Sequence, residues 1–157
     1  MNLNIPYMET DNKLLNDAYR IAAGDIVGNI VYYQNGLLTE EKPCMIAGLD
    51  YNTPWTRDTA INIWNALSIL SPEVSKNTLL AVLEEEEGNI YIGGQYWDSI
   101  IWMIGAREYC RFHKDDNFYR LAFEAGRNSV HRLEEDEFDE EDGLFRGPAV
   151  YGDGIAA

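Results

Sequence analysis

Apolar residues recur with a helical period along most of the chain. Between Asp11 and Tyr32 they fall at Leu14, Leu15, Ala18, Ile21, Ala22, Ile26 and Ile30, one stripe of a helix. Thr10 or Asp11 is the expected N-cap. A second helix is predicted from near Asp58 to about Leu70, with Ile61, Trp64, Leu67 and Ile69 on or near one side. Ser71-Pro72 ends it, because proline pushes the residue before it out of the α region. A third, from about Glu73 to Glu86, carries Val74, Leu79, Leu80 and Leu83, and Gly88 is its expected stop. A fourth, from about Asp98 to His113, is apolar on more than one side and is therefore expected to be buried. A fifth runs from about Asp116 to Leu133, with Phe118, Leu121, Ala122, Ala125 and Val130 on its apolar face. Extended structure is limited to short pieces such as Asn89–Ile92, so the predicted class is all-α.

Tight turns join the second helix to the third and the fourth to the fifth. Long segments occupy Tyr33–Arg57, Gly88–Trp97 and Glu134–Asp153. Connections beyond about 12 residues are usually functional. The pattern predicts helical hairpins with short turns at one end and long loops gathered at the other. Each long loop ends in an aromatic followed closely by an aspartate: Trp55-Thr56-Arg57-Asp58, Tyr96-Trp97-Asp98 and Tyr151-Gly152-Asp153. Two readings stand side by side. Asp58, Asp98 and Asp153 can be N-caps, favoured there by hydrogen bonding and the helix dipole. Alternatively, the carboxylates and flat aromatic faces converge in one pocket, a composition suited to a neutral, polyhydroxylated ligand.

Composition narrows the partners. The 157 residues, 46% hydrophobic and 25% charged, fit one globular domain. Twelve Lys plus Arg against 27 Asp plus Glu leave a net charge of −15. Such a surface repels phosphate backbones and anionic lipid, so neither nucleic acid nor a membrane is an expected partner. No apolar run reaches the roughly 18 residues that cross a bilayer. Residues 1–12 show no secretory signal. Cys44 and Cys110 are read as small buried thiols in a reducing, cytoplasmic setting. With His113 and His131 they do not form a zinc pattern, so no metal and no cofactor is expected.

At Trp55-Thr56-Arg57-Asp58-Thr59-Ala60 the chain resembles the six-hairpin, or (α/α)6-barrel, glycoside hydrolases. The likeness is greatest to the glucoamylase type, with trehalases and debranching-type α-glucosidases near by. The resemblance implies that Arg57 and Asp58 hold hydroxyls of the terminal sugar and that Trp55 forms a wall. Trp97-Asp98-Ser99 resembles the start of the second inner helix. Asp139–Gly154, with Tyr151-Gly152-Asp153, resembles the loop before the third, where the family places its catalytic acid. That role falls on Asp153, with Asp142 as the alternative, and Trp97, Asp98 and Tyr151 join the substrate-binding set.

Residues 1–157 are accordingly expected to be a single domain, the N-terminal portion of an (α/α)6 catalytic domain, an incomplete toroid of helical hairpins. The resemblance implies an exo-acting, inverting, α-glucosidase-like hydrolase of oligosaccharides, with carbohydrate and the remainder of the barrel as partners. Glycoside hydrolysis needs two carboxyl groups. The general base is assigned to no residue of this chain, so weak sugar binding without turnover is expected. The rival readings are a non-catalytic α-helical module binding a glycan or partner helix, and a sugar epimerase or isomerase on the same barrel. Epimerases depend on catalytic histidines, and neither His113 nor His131 lies in a long loop. The acidic run Glu134–Asp142 is read as a solvated face, since Phe138 stands where a calcium loop needs its first acidic ligand. Gly93-Gly94 is not read as a phosphate loop, for lack of a strand–turn–helix context.

Overall fold

The computed structural model describes residues 5–48, 50–95 and 97–146. Helix α1 (Lys13–Gly28) starts at Asn12, whose side chain accepts the amide hydrogens of Leu14 and Leu15. The cap is therefore Asn12, and not Thr10 or Asp11. Strand β1 (Ile30–Tyr33) pairs antiparallel with β2 (Lys42–Met45), Ile30 opposite Met45. Next comes a helical rod made of α2 (Thr56–Asn62), a π-helical turn (Ile63–Leu67) and α3 (Ser68–Leu70). Ser71 then caps α4 (Pro72–Ala81) through its side chain, with proline in the first turn. Strands β3 (Leu83–Glu86) and β4 (Asn89–Ile92) form a second hairpin. Helices α5 (Asp98–His113) and α6 (Asp116–Glu137) follow, and β5 (Phe138–Asp139) pairs with β6 (Leu144–Phe145).

The chain is thus mixed α/β, with three small antiparallel sheets among the described residues, and the expected all-α toroid of helical hairpins is not what it forms. The third predicted helix shows why. Leu79 to Glu86 is made of good helix formers apart from Val82, so local propensity favours continuing the helix. The structure instead stops α4 at Ala81, because the segment after β1 competes for its end. The Leu37 amide donates to the Leu80 carbonyl at 3.1 Å and the Asn35 side chain to the Ala81 carbonyl at 3.2 Å. These satisfy acceptors that a helix end leaves open. Beyond them the chain turns back at Glu87 and Gly88, both with positive φ (51° and 82°), the geometry of a two-residue type I′ hairpin. Gly88 therefore closes a hairpin and does not end a helix.

The main core cluster is built on Ile63, Leu67, Val74, Leu79, Leu83, Trp102 and Phe118, with Met45 contributed by β2, and a smaller one joins Leu38, Cys44 and Ala81. The rod α2–α3 and helix α5 run parallel. Ala60 meets Gly105, where an added Cβ would lie 2.8 Å from the Ala60 Cα, and His113 Nε2 lies 2.5 Å from the Ser68 carbonyl oxygen. Helix α6 returns antiparallel, its Phe118 edge-on to Tyr109 and its Gly126 against Met103. Two expectations about burial change. Helix α5 buries Trp102, Ala106 and Tyr109 but leaves Ile100 and Ile104 open to solvent. Helix α1 buries none of its residues, and Leu14 and Ile21 of its apolar stripe are exposed. No helix among the described residues is long and apolar enough to cross a membrane.

Candidate functional site

Because α2 and α5 are parallel and in close contact, their first turns lie side by side. Arg57 Nη1 stands 4.0 Å from Asp98 Oδ1, joining the two long loops that precede these helices. The pair is largely withdrawn from solvent, with the Arg57 side chain 20% and the Asp98 side chain 7% exposed. The second carboxylate oxygen of Asp98 accepts the Gln95 amide hydrogen at 2.9 Å. Asp98 is therefore bound from both sides.

The loop before α5 is held against α2. The Thr56 hydroxyl donates to the Gly93 carbonyl at 2.7 Å. Gly94 has φ +119°, and a Cβ there would come within 2.8 Å of Asp98 Oδ2 and 2.9 Å of Thr56 Oγ1. Only glycine fits so close an approach at that angle. Thr53, Trp55, Thr56, Gly93, Gly94 and Asp98 are among the walls of an open cleft of about 340 Å³. Trp55 is 43% exposed and meets Tyr51 edge-on, with 6.1 Å between ring centroids. Trp97, half-buried, meets Phe145 at 5.9 Å. That contact brings the third long segment to the same end as the first two.

The expected site residues are thus placed as follows. Arg57 and Asp98 are in contact, and Trp55 and Asp98 line the cleft. Asp58 is half-buried in the first turn of α2, outside the cleft lining. Trp97 lies on the Phe145 side. Asp142 is exposed in the β5–β6 turn, its amide donating to Asp139 Oδ1 at 3.4 Å. Tyr96, Tyr151 and Asp153 lie outside the described residues. The N-cap reading does not hold for Asp58 and Asp98. The caps of α2 and α5 are Trp55 and Trp97, neither with a side-chain cap bond, and both aspartates sit inside the first turn. An acid there still gains from the helix dipole.

Sequence reasoning missed Thr56 and the Gly93-Gly94 pair as parts of this site. The pair lies between strand β4 and helix α5, so the strand–turn–helix context denied to it is present. It still does not form a phosphate cradle: the Asp98 carboxylate sits against Gly94 and takes the Gln95 amide, which would repel an anion. The glycine pair beside a helix-starting Trp-Asp was the signal available for a tight loop packed on a neighbour. Among the described residues, no three His, Cys, Asp or Glu side chains are grouped as a metal site. Cys44 and Cys110 are unpaired, and burial pushes the Cys44 thiol up to about 12.

The chain matches no protein-family model, no curated protein and no solved structure.

Proposed function

We propose that this chain carries the sugar-binding part of a glycoside hydrolase catalytic domain, exo-acting, inverting and α-glucosidase-like, acting on oligosaccharides. The observation that carries the reading is the Arg57–Asp98 contact beside Trp55. It joins two segments that resemble glycosidase motifs, and a guanidinium, a carboxylate and an aromatic face together suit sugar hydroxyls and C–H faces. Arg57, Asp58 and Asp98 are the hydroxyl ligands in this reading, and Trp55, Trp97 and Tyr151 the stacking walls. Asp153 is the general acid. It would protonate the leaving oxygen, while a base from outside this set activates water on the opposite face. The remainder of the catalytic domain is the partner that supplies that base. The two unpaired thiols suit a cytoplasmic, reducing compartment. No cofactor enters the reaction.

The test is an NMR titration of the chain with glucose, maltose and mannose. Shifts concentrated on the amides of Trp55, Arg57, Gly94 and Asp98, lost in Asp98→Ala, support the reading. The absence of any sugar-dependent shift overturns it. Binding without hydrolysis of aryl glycosides in the complete enzyme, with Asp153 intact, moves the reading to a non-catalytic glycan-binding module.

A further inference from the structure

Helices α5 and α6 leave between them an apolar groove of about 140 Å³, lined by Trp102, Met103, Ala106, Cys110, Ala122 and Phe123. Tyr119 and Phe123 stand largely exposed at its edge. Its border is basic. Arg107 lines it and Arg120 stands beside Tyr119, both exposed and without a carboxylate partner among the described residues. Glu124 is the one acid between Asn117 and Asn128.

The opposite end of α6 has the complementary character. Glu134 to Asp142 contains eight carboxylates, and within and after that run Phe138, Leu144 and Phe145 are exposed. The two surfaces cannot meet within one copy. Phe123 and Phe138 are fifteen positions apart in the sequence, about 22 Å along a helix. The hairpin is held closed by Phe138 opposite Phe145 and by the Asp139–Arg146 ion pair. Its tip therefore reaches only about 14 Å from the end of α6.

We propose that this chain self-associates by seating the β5–β6 hairpin of one copy in the α5–α6 groove of another. Phe138 and Leu144 cover Phe123 and Tyr119, and the acidic run faces Arg107 and Arg120. Two copies with their α6 helices antiparallel fill both grooves at once and close as a twofold pair. The high net charge of each copy opposes association in general, so the contact depends on this local complementarity.

Sedimentation equilibrium of the chain tests it. The expected result is a concentration-dependent monomer–dimer equilibrium. Phe123→Ser should weaken the dimer at least tenfold, and so should Arg107→Glu with Arg120→Glu. Neither change touches a buried side chain, and circular dichroism should remain that of the parent. A mixture of the double Arg→Glu variant with Glu140→Lys/Glu141→Lys should recover association that neither shows alone. A monomer at every concentration up to about 1 mM overturns the proposal. So does a dimer that none of these substitutions changes.

Discussion

Asp98 links two elements at once: one carboxylate oxygen lies 4.0 Å from the Arg57 guanidinium and the other accepts the Gln95 amide hydrogen. Asp98→Ala leaves the Gln95 amide and the Arg57 guanidinium without this acceptor. The expected loss is about 1–3 kcal/mol. Asp98→Asn keeps an acceptor for Gln95 and should cost less. Urea denaturation of the two variants measures the difference, and equal costs would mean that the Gln95 hydrogen bond contributes nothing.

Gly94 and Gly88 both have positive φ, but only at Gly94 would an added Cβ meet neighbouring atoms. Gly94→Ala meets Asp98 and Thr56 as well as the angular strain, and should lose more than about 2 kcal/mol. Gly88→Ala meets open space and should lose only about 1 kcal/mol. Thermal unfolding should rank them in that order, and the reverse order would contradict the packing of the loop on α2.

Asp115 caps α6, accepting the Phe118 amide hydrogen, and pairs with Lys76 at 2.6 Å. Lys76 first, and then that amide, hold its carboxyl below the usual range. A depressed folded value means that the stabilisation is present above pH 3.8, the ordinary carboxylate value, and is lost as pH falls through the lower folded one. Asp115→Ala should therefore be less stable at neutral pH, by about 0.5–2 kcal/mol. Its deficit should shrink below pH 3.8. A deficit that does not change with pH would remove the carboxylate from the account.

Cys44 is fully buried against Ala81 and Leu38, and its thiol is pushed up to about 12. Burial also raises the thiol of the half-buried Cys110. Since the thiolate is the reactive form, both should react slowly with a disulfide reagent at pH 8, and Cys44 only through unfolding. Labelling followed by mass spectrometry should show Cys110 modified first. Fast reaction at Cys44 would contradict its burial.

Much of the helical framework was legible in the sequence. Asp98–His113 emerges with the bounds predicted for it, Asp116 starts the last helix, and Ser71-Pro72 separates α3 from α4. These boundaries come from local chemistry: caps, proline and apolar spacing act over one turn, so neighbouring residues suffice to read them. Asn89–Ile92 was legible as extended for the same reason, through its alternating Ile90 and Ile92. Its partner strand was not. Leu83–Glu86 favours a helix locally and becomes a strand only because Asn35 and Leu37 take the end of α4 and β4 offers a ladder.

The candidate site divides in the same way. Trp55, Arg57, Trp97 and Asp98 could be singled out from residue type and position beside helix starts. That Arg57 reaches Asp98, and that Thr56 holds the Gly93 carbonyl, follows from the parallel packing of α2 on α5 at Ala60 and Gly105. Contacts between residues so distant in the chain depend on which helix faces meet. Apolar periodicity defines a face without naming its partner. The sequence alone therefore determined where helices begin to within a residue or two, and which polar and aromatic side chains stand beside those starts. The tertiary structure decided which of them touch, because only packing brings separate first turns within reach.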